Sequence, residues 1–351
     1  MKVTYSIIIP HHNIPDLLKR CVNSIPKRDD TEVIVVDDGS NLESLEKVRL
    51  ICRQSANNIR LIERSTCNGG GAARNTGLEH AEGEFVIFAD ADDYFNYCIN
   101  SILTEYASSK FDIAFFKSNS VDSDTYESRY RTVISNGYID LFLGNNKEGE
   151  SKLRYLCGVP WGKIIRRSLI SDHHLRFDET SIHNDTTFSY TTGYYAKKIT
   201  GDCRCMYCVT QRKNSVSRNQ ELSKVLTSID VFGRAVLFVH KLGLNYHEEQ
   251  LYMNFYYLQK TKQFDGFLRG FQLLKKLGFN LHEAMDSYCE LISKQSPRYL
   301  IDSCKHSPNK YIRKRCFDLL PHSIILALCR KFKKIYFLMH STEFYNRFPS
   351  A

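Results

Sequence analysis

An α/β domain, with a mostly parallel central sheet flanked by helices, is predicted for the first part of this sequence, and an α-helical C-terminal region is predicted to follow it. In the first 95 residues, short apolar runs alternate with segments of helical periodicity, which is the order typical of a parallel sheet covered by helices. After about residue 220 the strand signals end and apolar residues recur at helical spacing. We therefore divide the chain into residues 1–220 and 221–351.

Four strands are predicted in the N-terminal region, each of them short, apolar and rich in β-branched residues. They span residues 5–10, 32–36, 59–62 and 85–89, and the helices between them span residues 13–25, 40–51 and 72–81. Asn13 is a candidate N-cap for the first helix, and Ser40 with Glu43 has the capping-box pattern for the second. The helices predicted in the C-terminal region span residues 222–242, 247–264, 267–277 and 282–292.

The composition of the 351 residues is that of a globular protein. No run approaches the ~20 apolar residues of a membrane-spanning helix, and the N-terminus does not resemble a signal peptide. We therefore expect a cytoplasmic protein whose twelve cysteines are reduced thiols. The cluster Cys203, Cys205 and Cys208 lacks a second pair at zinc-site spacing, so we interpret it as small apolar residues on a strand and loop.

The formal net charge of +9 is concentrated near the C-terminus, where residues 297–351 hold eleven lysines and arginines and three carboxylates. This distribution argues against a nucleic-acid partner and for a local anionic partner. Residues 323–340 form a predicted helix with an apolar arc and a basic face that contains Arg330, Lys331, Lys333 and Lys334. We expect this helix to bind an anionic membrane surface on its cytoplasmic face. The alternative is an amphipathic helix that packs on the N-terminal domain.

Carboxylates follow two of the predicted strands. Asp37 and Asp38 follow the second strand, and Asp90, Asp92 and Asp93 follow the fourth. Ligands of parallel α/β sheets bind at the carboxyl ends of the strands. Asp90 and Asp92 would repel each other unless a cation lay between them, and hard oxygen ligands favour Mn²⁺ or Mg²⁺. The alternative is an acidic turn that caps the next helix.

Four segments together carry a family resemblance. They are SIIIPHHN (6–13), TEVIVVDDGS (31–40), NGGGAARNTG (68–77) and FADADDYF (88–95). In this order and spacing they closely resemble the family 2 glycosyltransferases, which have the Rossmann-like GT-A fold. The resemblance is strong over residues 4–95 and weaker to about 218.

The resemblance implies functions for individual residues. It implies nucleotide binding by Pro10, Asn13, Asp38, Arg74 and Asp90. Asp38 would bind the base, typically uracil, while Asp90 and Asp92 would hold the ribose and the metal on the pyrophosphate. The glycine run by itself indicates only a flexible turn before a helix, because it lacks the spacing of a dinucleotide-binding or Walker loop.

Two later segments resemble the acceptor half of the same enzymes, namely VPWGKIIRRS (159–168) and LRFDETSIHNDTTF (175–188). The resemblance implies that Asp185 is the general base, although Asn184 replaces the glutamate that precedes it in the family. The alternative for Asp185 is a carboxylate that interacts with a helix dipole. Trp161 is expected in the wall of the acceptor pocket or in the core, and Lys163 near the pyrophosphate or on the surface.

The segment QRKNSVSRN (211–219) resembles a basic loop of the family, in which Arg212 would contact the diphosphate; the alternative is a solvated basic loop. The predicted function is metal-dependent transfer of a sugar, with inversion, from a nucleoside-diphosphate sugar, typically a UDP-sugar, to a saccharide or lipid-linked saccharide. The resemblance suggests surface-polysaccharide or glycolipid synthesis. The alternatives are a non-catalytic nucleotide-sugar-binding or assembly protein and a sugar nucleotidyltransferase.

Overall fold

The structure is a computed structural model that describes residues 2–212, 221–321 and 324. The described residues up to Arg212, together with Leu237–Tyr246, form one compact unit. Glu221–Val236 and the described residues from His247 onward form a second. Apart from Ile324, the predicted amphipathic helix at 323–340 lies outside the described residues, and so does most of the predicted basic loop at 211–219.

The first unit contains a sheet of eight strands within the described part of the chain. The strands are β1 (Tyr5–His11), β2 (Thr31–Asp38), β3 (Ile59–Arg64), β4 (Phe85–Phe88), β5 (Tyr94–Phe95), β6 (Ile113–Asp122), β7 (Lys163–Arg166) and β8 (Ile199–Gln211). The helices are α1 (Pro15–Asn23), α2 (Leu42–Gln54), α3 (Gly70–His80), α4 (Ile99–Tyr106), α5 (Val133–Leu143), α6 (Lys147–Tyr155), α7 (Arg167–Asp172) and α8 (Thr186–Tyr195).

The strand order is β3-β2-β1-β4-β7-β6-β8-β5. Strands β1 to β4 pair in parallel, as predicted, and β6 is parallel to β8. Beyond β4 the sheet is mixed, because β7 runs antiparallel to β4 and β6, and β5 runs antiparallel to β8. The carboxyl ends of β1, β2, β3, β4, β6 and β8 therefore lie along one side of the sheet, which we call the carboxyl edge.

Both faces of the parallel strands are buried. On β1, Ile7 and Ile9 pack into the core on one face, and Ile8 packs into the core on the other. Burial on both faces explains why these strands appear in the sequence as continuous apolar runs rather than as alternating patterns.

The predicted helix caps are wrong. Helix α1 has Ile14 at its N-cap position, and no side chain caps it. Asn13 instead adopts a left-handed backbone conformation, with φ of 55°, and its Oδ1 accepts a hydrogen bond from the backbone N–H of Asn41 at 2.9 Å. Asn41, rather than Ser40, caps α2 through the backbone N–H of Ser44.

The second unit is helical in its described part. Its helices are α9 (Leu222–His240, whose last residues belong to the first unit), α10 (Glu248–Lys260), α11 (Phe264–Leu277), α12 (Leu281–Gln295), α13 (Pro297–His306) and α14 (Lys310–Asp318). Phe255, Phe267 and Tyr288 are fully buried in its core. Among the described residues, no helix combines the length and apolar character needed to cross a membrane.

Candidate active site

The acidic turn after β4 is fixed by β8. The backbone N–H of Asp90 donates to the Tyr207 hydroxyl at 2.8 Å. Thr210 makes two bonds of 2.6 Å, from its backbone N–H to Oδ1 of Asp93 and from its hydroxyl to the backbone carbonyl of Asp92. Strand β8 therefore sets the conformation of a turn that lies more than a hundred residues earlier in the chain.

The carboxylates of this turn crowd one another. Burial raises the pKa of Asp92, and the neighbouring charge of Asp90 raises it further. Burial and the charges of Asp92 and Asp90 raise the pKa of Asp93 well above its usual range. Two arginines supply positive charge, since Arg74 pairs with Asp90, and Arg212 pairs with Asp92 at 2.7 Å.

The carboxylate oxygens of this turn are suitable ligands for a divalent cation. The charge of Asp90 disfavours the charged forms of Asp92 and Asp93, and a cation relieves such repulsion. Mg²⁺ in particular is commonly bound by one or two carboxylates together with substrate phosphates rather than by a complete protein cage. Within the described residues, no cluster of three or more candidate metal ligands is already assembled. Asp90 and Asp92 would thus share the cation with phosphate oxygens of a bound nucleotide.

Arg74 joins the acidic turn to the segment before α8, which the sequence predicts on the acceptor side. Its Nη2 donates to Oδ1 of Asp90, and its Nη1 donates to Oδ1 of Asn184 at 2.9 Å. The glycines before Arg74 allow this approach, because a Cβ on Gly71 would lie 2.0 Å from the carbonyl oxygen of Asp178. The glycine run is therefore a site of close packing between α3 and the segment before α8.

Asp185 follows Asn184 directly and occupies the N-cap position of α8, but its side chain makes no capping hydrogen bond. Burial raises the pKa of Asp185, and the charge of Asp90 adds to this effect, while Arg74 and Lys163 act to lower it. A carboxyl group whose pKa is raised toward neutrality is better matched to removing a proton from a hydroxyl group.

Lys163 is buried at the start of β7, so of its two predicted positions the one on the surface is wrong. Its Nζ donates to the carbonyl of Cys157 at 2.7 Å and lies 5.3 Å from the centre of the Phe115 ring. Burial lowers its pKa. Trp161 is also buried and stacks on Tyr207 with ring centres 5.8 Å apart, which places it in the core beneath the acidic turn.

The residues predicted to bind the base lie at the ends of β1 and β2. Pro10 is partly exposed near the end of β1, and Asn13 lies on the following bend. Oδ1 of Asp38 accepts from Arg64 at 2.9 Å and from the backbone of Asn68 at 3.3 Å. Its Oδ2 accepts from the backbone of Gly69 at 2.7 Å and from the Cys67 thiol at 3.4 Å. Asp38 therefore organises the turn after β3.

His11, which was not among the predicted site residues, is the buried last residue of β1. Its Nε2 accepts a hydrogen bond from the backbone N–H of Ile14, so the proton lies on Nδ1, which donates to Asp37 at 2.8 Å. Arg20 was not predicted either. Its Nη1 donates to the carbonyl of Ser123 at 3.3 Å, and its Nη2 donates to the carbonyl of Asp92. No local sequence signal separates Arg20 from an ordinary exposed helix residue.

Comparison with known proteins identifies the N-terminal region. Residues 6–173 match the family model Glycosyl transferase family 2. The putative glycosyltransferase EpsH of Bacillus subtilis is 28% identical over 207 residues, which cover 55% of this chain and 57% of EpsH. The glycosyltransferase GlyA of Streptococcus pneumoniae is 26% identical over 252 residues, which cover 68% of this chain and 35% of GlyA. This chain thus spans between about a third and three fifths of the length of these relatives.

Two solved structures share the fold. Staphylococcus aureus TarS 1-349 in complex with UDP-GlcNAc has a TM-score of 0.58 and 21% identity, over 90% of this chain and 89% of that one. The mannosyltransferase PcManGT from Pyrobaculum calidifontis, in complex with GDP-Man and Mn²⁺, has a TM-score of 0.51 and 16% identity, over 95% and 88% of the two chains. These likenesses confirm the predicted GT-A fold. With the match over residues 6–173, the N-terminal part of this chain belongs to glycosyl transferase family 2.

Proposed function

We propose that this chain transfers a sugar from a nucleoside-diphosphate sugar, a UDP-sugar in the first instance, to a hydroxyl group of a saccharide or lipid-linked saccharide. The observation that carries this proposal is the bridge from Asp90 through Arg74 to Asn184, which stands beside Asp185. It brings the carboxylates suited to the nucleotide sugar close to the candidate base, since the charges of Arg74 and Asp90 both act on Asp185. A transferase needs both in one place because the sugar moves between them.

On the donor side, Asp90 and Asp92 would hold Mn²⁺ or Mg²⁺ with the diphosphate. The bound cation supplies positive charge that stabilises the leaving diphosphate. Arg74 and Arg212 now neutralise these same carboxylates. With Asp90 and Asp92 holding a cation, the two guanidinium groups would be available to bind phosphate oxygens by charge-assisted hydrogen bonds.

On the acceptor side, Asp185 would take the proton of the attacking hydroxyl group. Because the diphosphate leaves with its charge already stabilised, the reaction needs no protonated carboxylic acid to assist departure, unlike a glycosidase. A single base on the face opposite the leaving group predicts inversion at the anomeric carbon. The partly raised pKa of Asp185 favours acceptance of the proton near neutral pH.

Base recognition by Asp38 needs a change at the turn after β3. A carboxylate offers about four acceptor positions, and Arg64, Cys67, Asn68 and Gly69 already use them. An imide N–H of uracil would replace the weakest of these contacts, the Cys67 thiol at 3.4 Å. We therefore propose that Asp38 both shapes this turn and accepts the base.

The decisive experiment is a screen of common nucleotide sugars with Mn²⁺ or Mg²⁺ that measures release of nucleoside diphosphate. The proposal expects release from one class of donor, its loss in EDTA, and a product of inverted anomeric configuration by NMR. Release of pyrophosphate would instead indicate a nucleotidyltransferase. Binding of donors without turnover on any acceptor would indicate a non-catalytic binding protein.

We further propose a role in surface-polysaccharide or glycolipid synthesis at an anionic membrane surface. Similar proteins include the poly(ribitol-phosphate) beta-glucosyltransferase of Bacillus spizizenii, 29% identical over 204 residues that cover 55% of this chain and 30% of that protein. The test is flotation with anionic liposomes, in which full-length protein should float and a chain ending at Pro321 should not. Truncation belongs there because α14 buries Ile312 and Cys316 in the helical core. Equal recovery of both chains would contradict the proposal.

A further inference from the structure

The segment between β6 and α5, residues 123–132, presents aromatic side chains at the carboxyl edge. Tyr126 is 56% exposed and Tyr130 is 85% exposed. Two apolar residues at the start of α5, Val133 and Ile134, are also exposed and extend this surface. Because β6 runs parallel to β8 and ends beside it, the segment emerges at the edge that carries the acidic turn.

The turn that carries Tyr126 is firmly built. Oδ1 of Asp122 accepts from the backbone N–H groups of Asp124 and Thr125 at 3.0 and 3.2 Å, and its Oδ2 accepts from Arg129 at 2.9 Å. These hydrogen bonds lower the pKa of Asp122 to about 2. Tyr126 itself has a left-handed backbone, with φ of 57°, which is uncommon for a bulky residue. Such strain persists only where the surrounding structure holds it, and it concentrates at functional positions.

Tyr126 is also connected to the acidic turn. The guanidinium group of Arg20 lies over two tyrosine rings, 5.4 Å from the centre of Tyr94 and 6.0 Å from that of Tyr126. The same group donates to the carbonyls of Asp92 and Ser123. Arg20 therefore connects Tyr126 to the backbone of the acidic turn.

The charge of this surface indicates what it can bind. Residues 122–131 contain three carboxylates and two arginines, and Arg129 is paired with Asp122 and Glu127. The segment therefore offers no surplus of positive charge to a polymer that bears phosphates. Exposed tyrosines provide flat apolar faces with a hydroxyl group at the rim, which match the C–H face and hydroxyl rim of a sugar ring.

We propose that residues 123–132 form an acceptor-binding surface for an uncharged saccharide chain, in which Tyr126 and Tyr130 stack on successive parts of the chain. This inference rests on the proposed sugar transfer, since the chain would lie here while its terminal hydroxyl group reacts. The surface would thereby select for neutral saccharides over polyol-phosphate polymers.

The test measures binding of the full-length protein, with UDP and Mn²⁺, to an array of neutral oligosaccharides and poly(polyol phosphate) chains. We expect wild-type protein to bind neutral saccharides, and Tyr130→Ala to weaken binding about tenfold. Tyr126→Asn should weaken binding to a similar extent while preserving the turn, because Asn tolerates the left-handed conformation. Tyr97→Ala is the matched control, because Tyr97 is 98% exposed but follows β5, which runs away from the carboxyl edge.

Several results would overturn this proposal. They are absence of wild-type binding to every neutral saccharide on the array, preference for the phosphate polymers, and an equal loss in Tyr97→Ala. Sedimentation that shows a dimer broken by Tyr130→Ala would instead assign the surface to a second copy of this chain, and binding of the same surface to neutral liposomes would assign it to lipid.

Donor hydrolysis without acceptor is measured on the same preparations. It reports the proposed transferase activity separately, so loss of saccharide binding with normal hydrolysis concerns the acceptor surface alone.

Discussion

The carboxylates at the end of β2 and those after β4 lie on the same edge of one sheet, but their electrostatic surroundings differ. At the end of β2, burial acts to raise the pKa of Asp37, yet hydrogen bonds from His11 and Ser40 outweigh it and hold the pKa below its usual range. After β4, burial and neighbouring charge raise the pKa values of Asp92 and Asp93.

The difference separates carboxylates that complete the fold from carboxylates that await a ligand. The charge of Asp37 is fully compensated by groups of its own neighbourhood, so the folded protein needs nothing more there. The group after β4 holds its charges at a cost, which a cation bound with a diphosphate would relieve. An acidic strand end therefore indicates a metal site when burial and mutual repulsion of its carboxylates outweigh the hydrogen bonds and ion pairs that they receive.

The largest effect is expected from Asp92→Ala. Turnover should fall to background and donor affinity should drop strongly, because the diphosphate loses the carboxylate that holds its counter-ion. Nucleoside diphosphate release and donor binding by calorimetry would measure both. Wild-type activity in excess EDTA, or undiminished turnover in Asp92→Ala, would contradict the assignment.

Asp185→Asn should lower the rate of transfer without changing the affinity for the nucleotide sugar. The amide keeps the shape of the side chain and cannot accept the proton, so kcat should fall ~10²–10⁴-fold while the donor affinity stays nearly constant. Steady-state kinetics with donor titration, alongside Asp92→Ala, separate the two effects. A collapse of donor affinity in Asp185→Asn would make it a binding or folding residue.

The sequence predicted β1 to β4 and the position of the acidic turn well, because each depends on a contiguous apolar run and a few residues after it. It did not predict what fixes that turn. Tyr207 and Thr210 reach Asp90 and Asp93 only because β5 and β8 pair at the far end of the sheet. Contacts over such a separation leave no periodic signal in a single sequence.

The burial and the packing of individual residues were harder still to predict. An exposed position was one of the two predicted for Lys163, because lysine side chains are rarely buried. Its burial depends on the carbonyl of Cys157 and the ring of Phe115, which the fold brings to it. Likewise, the glycine run appeared flexible, whereas Gly71 allows a close approach to the Asp178 backbone that no local pattern reveals.

Asp37→Asn tests how much a carboxylate whose charge is stabilised by local hydrogen bonds contributes to the stability of the fold. It should lower the free energy of unfolding at pH 7 by about 1–3 kcal/mol, because buried donors lose a charged acceptor. The folded pKa of Asp37 is lowered, so its contribution is present above the unfolded value of about 4 and is lost as pH falls through the folded value. Urea unfolding at several pH values should show the two proteins converging in acid. Asp93→Asn, which removes a crowded charge, is the contrasting control and should cost less; an equal or larger loss would break the comparison.

The smallest expected effect concerns Lys163, whose charge acts on Asp185 from the buried side of the site. The positive charge favours the ionised form of Asp185, so Lys163→Met should raise the pKa of that carboxyl group. A base works only when ionised, and activity therefore rises with pH through this pKa. The acid limb of the kcat/KM profile should move to higher pH, by less than about one unit because Lys163 is only one of several influences on Asp185.

Lys163→Met also leaves the carbonyl of Cys157 without its donor, which lowers stability by about 1–3 kcal/mol. Lys163→Arg is the matched control, because it keeps the positive charge at the cost of a tighter fit. If the charge is what matters, the arginine variant keeps the wild-type acid limb, and the methionine variant regains wild-type kcat/KM once the pH is well above the shifted limb. A loss of equal size at every pH, or an acid limb that does not move, would mean that Lys163 only supports the packing of β7 and has no electrostatic influence on the base.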